Sequence, residues 1–213
     1  MLVEHISFDL DGTLVNSHNT IYKSAMKTLE HLNIAGKIHE EEFYKRIGHH
    51  FLDIFRDMNI SVPDIEHFIN IYKSYYFDYI DHSSLYENVP DILEEISSRG
   101  IKISLLTTKG QDQAELILKH FKIAKYFDYV MGRRIGMGIK PSPEPLFFIC
   151  NELSVLTGNT LMVGDSDLDV NCGKNAGTKT CAVTYGYRTP EILKELKPDY
   201  LINDIREIIK IIS

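Results

Sequence analysis

The stretch FDLDGTLVNS, residues 8–17, follows a short apolar run and places two carboxylates, Asp9 and Asp11, one residue apart before a glycine. In extended chain, alternate side chains point the same way, so both acids would face one crevice at the end of a strand. An Asp-Gly pair also marks an ordinary turn, and the stretch alone is compatible with that simpler interpretation. The rest of the chain therefore has to decide between a turn and a reactive site.

The composition excludes several classes of protein. The 213 residues are 44% hydrophobic and 25% charged, as is typical of a soluble globular protein. With a net charge of −7, the chain offers no basic stripe for a nucleic acid or an anionic membrane. No stretch approaches the ~18 apolar residues of a membrane span, and no basic N-terminal region precedes a long apolar run, so we expect a cytoplasmic protein without an anchor. Cys150, Cys172 and Cys181 show no paired spacing and predict reduced thiols in the core.

Apolar runs typical of buried strands alternate with helical patterns along most of the chain. The predicted strands are 3–8, 101–106, 126–131, 160–163, 180–184 and 200–202. The predicted helices between them are 89–99, 113–121, 144–153 and 168–176. This alternation predicts an α/β fold with a Rossmann-like parallel sheet, helices on both of its faces, and ligands beyond the carboxyl ends of the strands.

Residues 16–84 interrupt the alternation. They contain amphipathic helical patterns at 21–32, 40–47, 52–58 and 65–80, without a convincing strand. We therefore expect a helical cap domain at 16–84, inserted after the first strand, and an α/β core formed by residues 1–15 and 85–213.

Three more polar clusters lie at predicted strand ends or in loops. Thr107, Thr108 and Lys109 end the second core strand. Lys140 lies in a loop stiffened by two prolines, and Asp165 and Asp169 follow the strand at 160–163. Each cluster alone has an ordinary explanation, because threonine and aspartate cap helices and loop lysines are usually solvated. If a helix begins at Asp165, it and Asp169 would share the N-terminal face.

The clusters are harder to explain as a set. Two unit charges ~4 Å apart at an effective dielectric of ~20 repel by ~4 kcal/mol, so four carboxylates at one crevice need a compensating cation. Carboxylates without a cluster of histidines or cysteines favour a hard ion, and Mg²⁺ is the expected cofactor.

Taken in order, the clusters resemble the motifs of the haloacid dehalogenase superfamily of phosphohydrolases, in particular its phosphoglycolate-phosphatase-like branch with a helical cap. The matching segments are DLDGT at 9–13, Thr107, Lys140 followed by PSPEP, and GDSDLD at 164–169. The resemblance covers nearly the whole chain. It implies a Mg²⁺-dependent phosphatase that hydrolyses a small phosphorylated metabolite through an aspartyl-phosphate.

The resemblance also implies roles for individual residues. Asp9 would attack phosphorus, and Asp11 would transfer protons to the leaving group and from water. Magnesium would be held by Asp9, Asp165 and the backbone carbonyl of Asp11, with Asp169 supporting these ligands. The expected phosphate-binding residues are Gly12, Thr107, Thr108 and Lys140. Gly48, His49 and His50 resemble the cap loop that contacts substrate in such proteins.

Several alternatives stay open. Phosphoglycolate is the leading substrate by resemblance, but Thr108 stands where many relatives have Asn, and pyrophosphatases of this branch also read Thr-Thr-Lys. A sugar phosphomutase similar to β-phosphoglucomutase is a further alternative, although Thr13 stands where such enzymes often have Val. A third is an inactive phosphate-binding regulatory module. Asp11 argues against carbon-halogen cleavage, and we expect a monomer or homodimer.

Overall fold

The computed structural model describes residues 2–36 and 38–212. Residues 1 and 213, the ends of the expected core, therefore lie outside the described residues. The chain divides into two compact units, which we call the core unit (Met1–Val15 with Leu85–Ser213) and the helical unit (Asn16–Ser84). In the described ranges, no helix is both long and apolar enough to cross a bilayer.

The core unit is built on a parallel sheet. In chain order the strands of the described chain are β1 (His5–Phe8), β2 (Val15–Asn16), β3 (Ser84–Leu85), β4 (Lys102–Gly110), β5 (Tyr129–Arg133), β6 (Thr160–Gly164), β7 (Lys179–Val183) and β8 (Tyr200–Ile202). Of these, six form one sheet in the order β5-β4-β1-β6-β7-β8, while β2 pairs with β3. All neighbours in the large sheet run parallel, which confirms the predicted α/β class.

The helices follow the strands as the alternation predicts. In chain order the α-helices of the described residues are α1 (His18–His31), α2 (Glu40–Tyr44), α3 (Phe51–Asp57), α4 (Ile65–Asp78), α5 (Val89–Ser98), α6 (Gln111–His120), α7 (Glu144–Glu152), α8 (Asp167–Ala176), α9 (Pro190–Glu195) and α10 (Ile208–Ile211). Helices α1 to α4 make up the helical unit, where Phe51, Phe55 and Phe68 pack ring against ring. In the core unit, α7 and α8 bury Leu146, Ile149 and other apolar side chains against the sheet.

The register of the central strands determines where the polar clusters emerge. β1 is buried throughout, and Phe8 lies level with Leu105 of β4 and Val163 of β6. The Asp9 N–H continues this pattern by donating to the Val163 carbonyl at 2.9 Å. Residues just beyond these three strands therefore leave the sheet at one edge, as parallel pairing requires.

Two local expectations are wrong. β4 runs past residue 106 to Gly110 because Gly110 pairs with Arg133 after a register shift, so the Thr-Thr-Lys segment lies on a strand and does not cap a helix. Helix α8 begins only at Asp167, with Ser166 as its N-cap, so Asp165 and Asp169 do not share a helical face. Helices α9 and α10 and the two-residue strands β2 and β3 were absent from the predicted elements.

Candidate active site

The turn after β1 brings its backbone against another motif. The Leu10 carbonyl accepts the N–H groups of Leu14 and Val15, each at 2.9 Å, which closes the turn. Gly12 has φ +88°, and a Cβ there would lie 2.3 Å from Asp165 Oδ2. Only glycine fits both the left-handed backbone and the close approach of Asp165. The turn interpretation of Asp-Gly is therefore correct. The same turn packs against Asp165, while the pairing of β1 with β6 places Asp9 at this edge of the sheet.

Lys140 joins two of the acids. Its Nζ donates to Asp9 Oδ1 at 2.5 Å and to Asp169 Oδ1 at 2.6 Å, and the lysine is only 4% exposed. The ordinary expectation of a solvated loop lysine does not hold here. A buried ammonium between two carboxylates is a strong charge-assisted arrangement, because little water competes for either partner.

The start of α8 fixes the position of Asp169. The Ser166 N–H donates to Asp169 Oδ2 at 3.0 Å and the Ser166 hydroxyl donates to the same oxygen at 2.5 Å. The Ser166 side chain in turn accepts the Asp169 N–H, and this reciprocal capping satisfies donors at the helix start. Because Lys140 binds the other oxygen, both oxygens of Asp169 have partners.

Burial and like charge act together on the acids. Burial raises the pKa of Asp9 well above its ordinary value; Lys140 opposes this effect, while Asp169 and Asp165 add to it. Burial, reinforced by the charge of Asp169, also raises the pKa of Asp165 to about 7. Burial by itself lowers the pKa of Lys140, but Asp169 and Asp9 outweigh it and hold that pKa above its usual range. One buried ammonium thus faces three buried acids, so the cluster favours additional positive charge.

The donor set fits a hard divalent cation. Among the described residues, Asp9, Asp165 and Asp169 form a group in which one oxygen from each lies within 4.8 Å of the others. The ligating atoms are all carboxylate oxygens, the type that Mg²⁺ prefers. The chemistry of the group therefore suits a divalent metal ion.

The end of β4 contributes polar groups at the same edge. Thr107 is 4% exposed, and its hydroxyl accepts the Lys109 N–H at 3.3 Å. Thr108 is half-buried on the same strand end. The Lys109 ammonium lies 3.2 Å from Asp11 Oδ2, with only 9% and 10% of the two side chains exposed. Lys109 is therefore part of this edge rather than a solvated residue at a helix start.

The candidate residues of the expected cap loop lie in the helical unit. Gly48 has φ +102°, and His50 is the N-cap of α3, where its Nδ1 accepts the Leu52 N–H at 3.2 Å. His50 thus has a structural role in its own unit. That Gly48, His49 and His50 contact a substrate stays a prediction.

A segment that none of the sequence motifs includes lies at the same edge of the sheet. Residues 185–188, which we call the 185–188 loop, follow β7 and contain Tyr185, Gly186, Tyr187 and Arg188. The Tyr187 N–H donates to Asp165 Oδ2 at 2.7 Å, and the Tyr185 hydroxyl donates to the Thr13 carbonyl at 3.0 Å. The available signal was its position, because it follows the carboxyl end of a predicted strand.

Known proteins resemble the chain over its whole length. The family model described as haloacid dehalogenase-like hydrolase matches residues 6–183. A protein from Bacillus mycoides (strain KBAB4) named pyrophosphatase PpaX is 34% identical over 100% of this chain and 98% of its own. One of the same name from Bacillus cereus (strain ATCC 10987) is 32% identical with the same coverage.

Solved structures share the architecture. A crystal structure of a predicted phosphoglycolate phosphatase from Haemophilus somnus 129pt is similar with a TM-score of 0.84 and 28% identity, over 99% of this chain and 98% of that one. A haloacid dehalogenase-like family protein from Streptococcus pneumoniae gives a TM-score of 0.88 at 24% identity, over 99% of each chain, which bears on the fold alone.

Proposed function

Because the chain belongs to the haloacid dehalogenase-like hydrolases, we propose that it is a Mg²⁺-dependent phosphatase that hydrolyses a small phosphorylated metabolite through an aspartyl-phosphate on Asp9. One observation carries the proposal above all others. Lys140 Nζ lies 2.5 Å from Asp9 Oδ1 and 2.6 Å from Asp169 Oδ1, in a buried group of acids suited to a divalent cation.

The metal would be held by Asp9, Asp165 and the backbone carbonyl of Asp11. Asp169 would support this site rather than ligate, since both of its oxygens already accept hydrogen bonds from Lys140 and Ser166. When bound, the ion would neutralise part of the charge on the phosphoryl oxygens and on the acids around it.

Residues of the chain would carry out each chemical step. An oxygen of Asp9 forms a bond to phosphorus in line with the leaving oxygen, whose bond to phosphorus breaks while Asp11 gives it a proton. Water then attacks the same phosphorus, Asp11 takes its proton, and the Asp9 carboxylate leaves with release of inorganic phosphate. Thr107, Thr108, Lys140 and the backbone at Gly12 would hold the phosphoryl oxygens, where charge must be stabilised.

Two substrates have specific support. Phosphoglycolate is favoured by the resemblance of the motifs and by the name of the Haemophilus somnus structure. Inorganic pyrophosphate is favoured by the names of the Bacillus relatives at 34% and 32% identity. Both compounds carry negative charge on the leaving group. Lys109, 3.2 Å from the proposed proton donor Asp11, would supply positive charge beside the leaving group.

The test is phosphate release from a panel containing phosphoglycolate, pyrophosphate, nucleotides and sugar phosphates, with and without Mg²⁺. We expect selective, Mg²⁺-dependent release. Isomerisation of a sugar phosphate without net release would instead identify a phosphomutase. No release from any member, or from a generic aryl phosphate, would support the inactive binding module.

Asp9→Asn tests the nucleophile directly. We expect turnover to fall by at least about a thousandfold, because the amide cannot form the aspartyl-phosphate, while circular dichroism and thermal unfolding show an intact fold. Asp91→Asn, the same change at an exposed residue of the core unit, is the matched control and should keep wild-type rates. An unchanged rate in Asp9→Asn contradicts the assignment.

A further inference from the structure

The 185–188 loop lies against two of the segments that build the site. β7 pairs with β6 in parallel, so the residues after β7 reach the same edge as those after β6. None of the four sequence motifs includes this loop. Its contacts are nevertheless with Asp165, with Gly12 and Thr13 of the turn after β1, and with Asp167 at the start of α8.

The loop holds one oxygen of a proposed metal ligand. Asp165 is 2% exposed, and its Oδ2 accepts the Tyr187 N–H at 2.7 Å. A hydrogen bond to one carboxylate oxygen restricts rotation of the group and so determines where the other oxygen points. Partners of this kind orient metal ligands and contribute to affinity without touching the ion.

Gly186 allows the loop backbone to approach Asp165 closely, because there is no room for a larger residue at this position. A Cβ at Gly186 would lie 2.3 Å from Asp165 Cβ and 2.5 Å from the Gly12 carbonyl oxygen. The backbone of the loop therefore packs directly on the Asp165 side chain and on the turn that carries the proposed nucleophile. An added methyl group would have to displace one of them.

Both ends of the loop are anchored. The Tyr185 hydroxyl donates to the Thr13 carbonyl at 3.0 Å, and its ring lies 4.7 Å from that of Tyr86. At the other end, Arg188 is 7% exposed, and its Nε donates to Asp167 Oδ1 at 3.1 Å. The loop thus connects the turn after β1 to the start of α8 by side-chain contacts on either side of the Asp165 hydrogen bond.

We infer that the 185–188 loop is a positioning element of the metal site: Gly186 and the Tyr187 N–H orient the Asp165 carboxylate, and Tyr185 and Arg188 keep the loop against the two segments it serves. The inference rests on the proposed function, because it concerns the metal that function requires. None of the four residues touches substrate or metal in this assignment, and each acts through Asp165 or the turn.

The decisive measurement is the affinity for Mg²⁺ by titration calorimetry, with Mn²⁺ and electron paramagnetic resonance as a second probe, in the absence of substrate. Gly186→Ala should weaken metal binding by about 10- to 100-fold, the usual effect of losing a partner that orients a ligand. The matched control is Gly158→Ala, where a Cβ meets nothing within 4 Å, and it should bind metal as the wild type does.

Milder variants keep the inference testable if Gly186→Ala does not fold. Tyr185→Phe and Arg188→Gln each remove one anchor, and we expect metal affinity to fall by about two- to tenfold, as for one hydrogen bond. In these variants, turnover should recover at high Mg²⁺, although urea unfolding without metal shows that the variants are already folded under the assay conditions. Wild-type metal affinity in folded Gly186→Ala, or in both milder variants, overturns the inference.

The same titration separates the two proposals. Wild-type protein that binds Mg²⁺ but hydrolyses no member of the panel contradicts the proposed function, while a weaker Gly186→Ala still supports the loop assignment. If the wild type is active and the loop variants bind metal with wild-type affinity, only the loop assignment is contradicted.

Discussion

Lys140 is the residue on which the buried acids most depend. It is 3% exposed at the side chain and contacts both Asp9 and Asp169, so its removal leaves their charges uncompensated. Removing one partner of a buried ion pair destabilises a protein far more than losing an exposed pair, because the remaining charge stays out of water.

Lys140→Gln should therefore reduce both stability and activity. We expect the free energy of unfolding in urea, measured without Mg²⁺, to fall by about 3 kcal/mol, and turnover to fall by about 100-fold or more. Lys179→Gln is the matched control, since Lys179 pairs with Asp199 at the surface and its side chain is 46% exposed. That variant should lose no more than about 1 kcal/mol. Equal losses in the two variants would contradict the role given to Lys140.

Lys109 provides a test of substrate class at the scale of one residue. Lys109→Gln should lower kcat/KM for pyrophosphate and phosphoglycolate by about 10- to 100-fold relative to p-nitrophenyl phosphate, whose leaving group has less charge, because a charge-assisted contact is lost. Lys109→Arg keeps the charge and should retain most of the selectivity. A uniform loss across all three substrates would instead indicate that the Lys109–Asp11 pair is structural.

At the scale of secondary-structure elements, local sequence patterns predicted the core strands and helices, whereas strand pairing determined their order and some of their ends. The six core strands and four core helices predicted from periodicity all occur, because buried strands and amphipathic helices have local signatures. Strand order was not predictable from the pattern, since β1 pairs with segments about 100 and 155 residues away. The pairing of Gly110 with Arg133 on β5 extends β4 beyond its apolar run in the same way. The 185–188 loop was not predicted because its contacts with Asp165 are made by the Tyr187 N–H and by the backbone at Gly186, which carry no residue-type signature.

A row of three polar side chains, which we call the polar seam, crosses neighbouring strands of the core: His5, Ser104 and Thr160. The buried His5 ring on β1 lies 2.8 Å from the Ser104 hydroxyl on β4 and 3.2 Å from the Thr160 hydroxyl on β6. Burial lowers the pKa of His5 from its ordinary 6.5 to about 4, so the ring stays neutral in the folded protein. Above pH 6.5 the ring is neutral in both states, whereas between pH 6.5 and 4 only the unfolded chain takes up the proton.

The seam should make stability depend on pH. Between pH 7.5 and 5.0 we expect His5 to cost the wild type about 2 kcal/mol of unfolding free energy, measured by urea denaturation at each pH. His5→Gln keeps a polar side chain that does not titrate. Between pH 7.5 and 5.0, its free energy of unfolding should therefore fall by about 2 kcal/mol less than that of the wild type. Parallel pH profiles for the two proteins would show that His5 does not titrate as assigned.

At the scale of the whole molecule, the acidic chain concentrates several of its charges in one buried group. Net charge −7 and the acid cluster of Asp9, Asp165 and Asp169 both favour cation binding over contact with nucleic acid. A cation that binds only the folded state stabilises it by mass action, by about 2.7 kcal/mol at 100 times its dissociation constant.

Mg²⁺ should therefore raise the thermal stability of the protein as well as its activity. At saturating Mg²⁺ we expect Tm to increase by about 5–10 °C over protein treated with EDTA. Asp165→Asn should lose most of this increase, and KCl at equal ionic strength should not reproduce it. The same Tm with Mg²⁺ and with KCl would contradict a specific metal site.

The position of β1 in the sheet has a consequence for how the protein is made. β1 is early in the chain but lies between β4 and β6, so its second neighbour is complete only at Gly164. At 5–20 residues per second, the ribosome needs roughly 8–30 s to reach that point after Asp9. During this interval the DLDGT segment has no complete sheet to join. The proposed nucleophile is thus synthesised early and assembled late, which keeps a reactive site from forming on an unfinished chain.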